Sequence, residues 1–105
     1  EFIKLNNQFV VPLMANDRVT SMVVVSLSLE TEPGLTEAVY AHEPKLRDIF
    51  LRVLFDHANM GGFGGSFTQS ETLDLLRKAL REVAQKEMGK EIRDVLIVDI
   101  ARQDS

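Results

Sequence analysis

The sequence predicts an α+β domain of two layers, a small antiparallel sheet with helices packed on one face. Three observations carry this. Residues 18–30 alternate apolar and more polar side chains with the period of two that marks a half-buried strand, and residues 8–14 read as its hairpin partner. Residues 41–57 and 73–88 repeat their apolar positions at helical spacing instead. Residues 95–98, Val-Leu-Ile-Val, then give a short apolar run suited to a closing strand. The predicted order is a β-hairpin, three helices and a final strand.

Phe2 to Leu5 reads as a short apolar entry. In the first strand Phe9, Val11 and Leu13 face one way, and Val10, Pro12 and Met14 the other. Pro12 has no N–H to donate, which places this strand at a sheet edge or bulges it. Ala15-Asn16-Asp17 supplies turn chemistry, so the next strand returns antiparallel. There Val23, Val25, Leu27 and Leu29 share one face, opposite Met22, Val24, Ser26, Ser28 and Glu30. The closing run is apolar on both parities and therefore predicts a strand covered on both faces or central in a sheet. Asp99 falls in the parity of Val95 and Ile97.

Glu32-Pro33-Gly34 ends the second strand and begins a short helix through Leu35, Ala38 and Val39, broken at His42-Glu43-Pro44. Pro44 suits the first turn of the next helix, where Leu46, Ile49, Phe50, Val53, Leu54 and His57 form the inner face. Leu51 and Phe55 sit roughly opposite, among Arg47, Asp48, Arg52 and Asp56. Four of the six glycines then fall within residues 61–65, making a flexible loop that also carries Phe63 and Phe67. Thr68-Gln69-Ser70-Glu71 has the pattern of a capping box for the third helix. That helix turns Leu73, Leu76, Leu80, Val83, Ala84 and Met88 inward, and Gly89 supplies its stop.

At 105 residues the chain is one domain, long enough to bury roughly 65% of its unfolded surface. A net charge of −4 argues against a nucleic-acid or anionic-membrane surface. The lack of cysteine removes disulfides, thiolate metal sites and thiol catalysis. No segment has the length of a membrane span. Because the chain opens at Glu1-Phe2, already apolar, it reads as a domain preceded by further sequence that could include a membrane anchor.

Sites of chemistry are sparse. The Gly61–Gly65 loop lacks the Gly-Lys-Ser/Thr ending of a phosphate loop, and Glu71 at the helix start would repel phosphate. His42 and His57 are the only imidazoles, 15 residues apart, and His57 closes an apolar face as a satisfied, half-core residue would. No serine sits in a nucleophile elbow. The basic stripe Arg77, Lys78, Arg81 and Lys86 suits a solvated face. No catalytic residue, cofactor or metal is expected. The surplus lies in apolar surface: Leu51, Phe55, Phe63 and Phe67, with Arg47, Arg52 and Arg77 as polar neighbours, are the candidate protein-interaction residues.

Several words of the sequence resemble the C-terminal periplasmic domain of the FliL family of flagellar basal body-associated proteins. They are Phe9-Val10-Val11-Pro12-Leu13, Val23 to Leu29, Pro44-Lys45-Leu46-Arg47-Asp48, Leu73 with Leu76-Arg77 and Leu80, and Ile92 with Val95 to Arg102. The likeness spans nearly all 105 residues. It departs at Pro12, where the family often has Asn, and at Gly64-Gly65-Ser66-Phe67-Thr68, where a Gly followed by a basic residue is usual.

The resemblance implies a stomatin/prohibitin-like fold and a non-enzymatic role. It further implies a single-pass inner-membrane protein whose anchor precedes this periplasmic domain. Such a protein self-associates in a ring, contacts stator and basal-body proteins, and supports torque and motility. Two other readings stand beside it. One is a generic periplasmic interaction module with no flagellar role. The other is a small ligand-binding or hydrolytic domain using His42, His57 and the Gly61–Gly65 loop.

Overall fold

The computed structural model describes residues 1–104. Its elements in chain order are β1 (Phe2–Lys4), β2 (Phe9–Ala15), β3 (Arg18–Thr31), α1 (Thr36–Ala41), α2 (Glu43–Asn59), α3 (Ser70–Met88) and β4 (Ile92–Asp104). This is the α+β arrangement expected, with helices packed on one face of an antiparallel sheet.

The long β3 is the spine of that sheet. β4 runs along one of its edges, from Ser21↔Asp104 to Thr31↔Ile92. The other edge is shared end to end by β1, opposite residues 28–30, and β2, opposite residues 18–25. The sheet is thus three columns wide, with one column split. Phe2–Leu5, expected only as an apolar entry, is half of that column, and Leu5 N–H still donates to Leu27 O at 3.0 Å. Three residues were too few to show an alternation, and the long β3 supplied the partner.

The hairpin turn is Asn16-Asp17, with φ of 52° and 63°. These are the left-handed conformations that a two-residue turn requires and that Asn and Asp tolerate. A bulge between Leu13 and Met14 follows Pro12 on this edge strand.

The inner face of the sheet carries Phe9, Val11, Val23, Val25, Leu27, Leu29, Ile92 and Val95, all fully buried. Leu46, Phe50 and Leu54 of α2 and Leu76, Leu80 and Ala84 of α3 close over them. Phe9 meets Phe50 edge to face at 6.3 Å, a favoured aromatic geometry. Gly89 ends α3 with φ 94°, a conformation costly for residues with a Cβ.

Three local expectations are corrected. β4 is an edge strand covered on one face only, so Val98 is 57% exposed. A bulge leaves Val98 unpaired between Ile97↔Leu27 and Asp99↔Ser26, which turns Asp99 to the outer face, away from Ile97. Thr68 does not cap α3: Gln69 occupies the cap position without any side-chain bond. Thr68 is held instead inside the turn closed by Gln69 N–H to Ser66 O at 3.2 Å.

Candidate interaction surfaces

The glycine loop between α2 and α3 is tied down from both sides. Phe63 is fully buried in the core, edge to face with His57 at 4.7 Å. Arg102 of β4 donates to Phe63 O (3.1 Å) and Gly65 O (3.3 Å) and stands 4.9 Å from the centroid of Phe67. Asp104 pairs with Arg102 at 3.2 Å and accepts from Ser21 Oγ at 2.7 Å. One cation therefore organises the loop through carbonyls and an aromatic face. Sequence reasoning passed over Arg102, because nothing local joins position 102 to position 63.

His57 is half-buried, as its position on the helix suggested, yet it is not satisfied. Its Nε2 is buried without a hydrogen-bond partner among the described residues. Gly62 packs so tightly on the ring that a Cβ there would collide with Nε2. Burial pushes the imidazole below its usual range, with the Gly62 backbone partly opposing. His42 lies at the opposite end of α2 with Nδ1 2.9 Å from Ala38 O. The structure does not bring the two imidazoles together, and the described residues contain no cluster of three or more metal-binding side chains.

The other candidate interaction residues divide. Phe63, placed at an interface by its loop position, is corrected to core. Arg47 donates to Asn7 O (2.7 Å) and Gln8 O (3.1 Å) and covers Phe9, so it clamps the link between β1 and β2. Arg77 binds Asp94 at 2.8 Å and Asp74 at 3.6 Å, with its Nε buried and unpartnered among the described residues, and so fastens α3 to β4. Leu51 and Phe67 are half-buried against the core. Leu51 lies on the flank of α2 that also carries Arg47, not at the back of the helix. Phe55, 41% exposed, and Arg52, paired with neighbouring Asp48 at 3.2 Å, remain at the surface.

Two further apolar surfaces emerge, on opposite layers. Between α2 and α3 runs a cleft of about 400 Å³ lined by Val53, His57, Gly62, Leu76 and Ala79, with Asp56 and Thr72 at its rim. Met60 (82% exposed) and Leu75 (69%) overhang it. The second surface is the outer face of the sheet. Cross-strand partners share a face, which gives the rows Val10–Val24–Ala101, Pro12–Met22–Gln103 and Lys4–Ser28–Leu96, with Met14 and Val19 beyond. An antiparallel sheet covered on one side ordinarily turns polar residues to water; this one keeps apolar side chains on both. The sequence carried that signal in β2, where Val10, Pro12 and Met14 are as apolar as their alternates.

Two open apolar surfaces on a small two-layer domain suit protein contact far better than catalysis. Among the described residues no helix is long and apolar enough to cross a membrane. A comparison with curated proteins finds no match. The profile of the family described as flagellar basal body-associated protein FliL matches residues 2–103, from the start of β1 to the penultimate residue of β4. The chain, whose resemblance in sequence agrees with that match, belongs to the FliL family of flagellar basal body-associated proteins.

Proposed function

We propose that this domain works in the periplasm as a non-enzymatic brace of the flagellar motor, tethered by a single membrane anchor and self-associating beside the stator to support torque. The observation that carries this reading is the family match along residues 2–103. The uncovered apolar surfaces on both layers support it, because an assembly protein needs more than one contact face. Met60 and Leu75, overhanging the α2–α3 cleft, form one surface that meets a motor component, and Phe55 with Arg52, exposed on another side of α2, forms a second.

The test is a strain whose chromosomal copy lacks this domain. It should still assemble flagella but lose torque, read from the rotation of tethered cells under viscous load. Normal rotation under load in that strain sinks the proposal. Phe55→Glu with Leu75→Glu should reproduce the loss while leaving the purified domain folded.

A further inference from the structure

We infer that the groove between α2 and α3 receives a basic amphipathic helix of the partner, its apolar side chains seated in the cleft and a lysine or arginine set against Asp56. This rests on the reading that Met60 and Leu75 meet a motor component, and names the chemistry of what they meet.

The groove is open because several of its lining residues are small. Ala79, Thr72 and Gly62 stand beside Val53, Leu76 and His57, which leaves the cleft of about 400 Å³. That is the size and lining of a binding pocket rather than of a packing defect. The valley between the helices continues to Ile49 and Val83. From Met60 to Ile49 it runs about 16 Å, the length of about three helical turns. Met60 and Leu75 project from opposite walls, and an exposed methionine adapts to whatever side chains it meets.

The walls decide the form of the occupant. α2 and α3 use their backbone N–H and C=O groups internally, so an extended strand laid between them would bury its own groups without partners. A helix brings those bonds with it and presents apolar residues at i, i+3, i+4 and i+7. Among the described residues the chain has no spare helix to offer, since α2 and α3 are the walls and α1 has only 6 residues.

Charge decides the sign. Lys86 and Glu87 lie together at the Ile49 end, where they offset one another. At the Met60 end Asp56 has no ion pair among the described residues, because Arg52, one turn back, turns to Asp48 at 3.2 Å. The lining of the cleft holds no lysine or arginine to answer that carboxylate. The net charge of −4 adds a background field of the same sign. A single pair at the rim of an apolar cleft selects the partner and fixes its orientation.

The probe is a fluorescein-labelled, hydrocarbon-stapled helix of about four turns, with leucines at those spacings and lysines beside them. A second probe has glutamates in place of the lysines. Each is titrated with the 105-residue domain by fluorescence anisotropy, with circular dichroism to verify folding. The lysine helix should bind saturably and the glutamate helix roughly tenfold more weakly, and Asp56→Lys should reverse that order. Ala79→Leu, which fills the cleft, and Leu75→Glu should each weaken the lysine helix by about tenfold or more. Leu75 is exposed, so Leu75→Glu carries the test if Ala79→Leu fails to fold. A folded domain that binds neither helix, or binds both equally, overturns the proposal, as does binding unchanged in Leu75→Glu. A dimer dispersed by Leu75→Glu assigns the groove to a second copy, and flotation with phosphatidylglycerol vesicles lost in Leu75→Glu assigns it to lipid; either overturns the proposal. The motor role fails separately: helix binding with normal loaded rotation in the strain lacking the domain overturns that role alone, and a torque defect without helix binding overturns the groove alone.

Discussion

Arg47 of α2 stands over Phe9 of β2, 4.1 Å from guanidinium carbon to ring centroid, while its nitrogens cap the carbonyls of Asn7 and Gln8. One side chain thus joins a helix, a strand and the short link where the edge column of the sheet is broken. Arg47→Ala should cost about 1–3 kcal/mol in urea denaturation, from two charge-assisted hydrogen bonds and the ring contact. Arg47→Lys should recover less than half, because an ammonium cannot reach two carbonyls and cover the ring together. Full stability in Arg47→Ala would show the clamp to be idle.

Gly62 is glycine because His57 occupies the space of its Cβ. Gly62→Ala should destabilise the domain by about 1–3 kcal/mol, as overpacking does. In a His57→Ala background the same change should cost far less. The double-mutant cycle isolates the collision; strictly additive losses would argue against it.

The His57 imidazole is held below its usual range by burial. Between its folded pKa and the ordinary 6.5, the unfolded chain binds more protons than the folded one. Stability from this residue is therefore complete above 6.5 and falls as the pH drops through the window below it. Melting temperatures from pH 7.5 to 5 should decline, and His57→Phe should decline less steeply. Equal slopes would assign the acid sensitivity to other groups.

Phe63 and Phe55 look alike in sequence and differ in place. Phe63→Ala should cost about 3–5 kcal/mol as a core truncation, whereas Phe55→Ala should cost about 0.5 kcal/mol or less. Chemical denaturation of the two variants under identical conditions reads the difference.

Much of this fold was legible in the sequence. The period-two and period-three-to-four runs placed β2, β3, α2 and α3, where one buried face declares itself, while the continuous apolar run placed β4 and the proline breakers on either side placed α1. β1 was not placed, since three residues carry no period. The candidate surface was harder to read. Phe63 and Phe55 give the same local signal, and only the return of Arg102 to the loop carbonyls separates core from surface. Arg47 and Arg77 looked like exposed charges because their partners lie at Asn7, Gln8 and Asp94, remote in the chain. The apolar outer face of β2 was visible, but which face stayed open depended on where α2 and α3 packed.

The pairing of β3 with β4 has a consequence for how the chain is made. Ser21 and Asp104 are 83 positions apart, so an entire edge of the spine waits for residues 92–104 to be delivered to it. Such distant contacts close slowly. Until they do, the edge of β3 stands open to any strand it meets. A chain clipped before Ile92 loses the whole partner strand, together with Arg102, Asp94 and the anchoring of the glycine loop. Completion of this sheet is therefore gated by residues 92–104, whose loss does disproportionate harm.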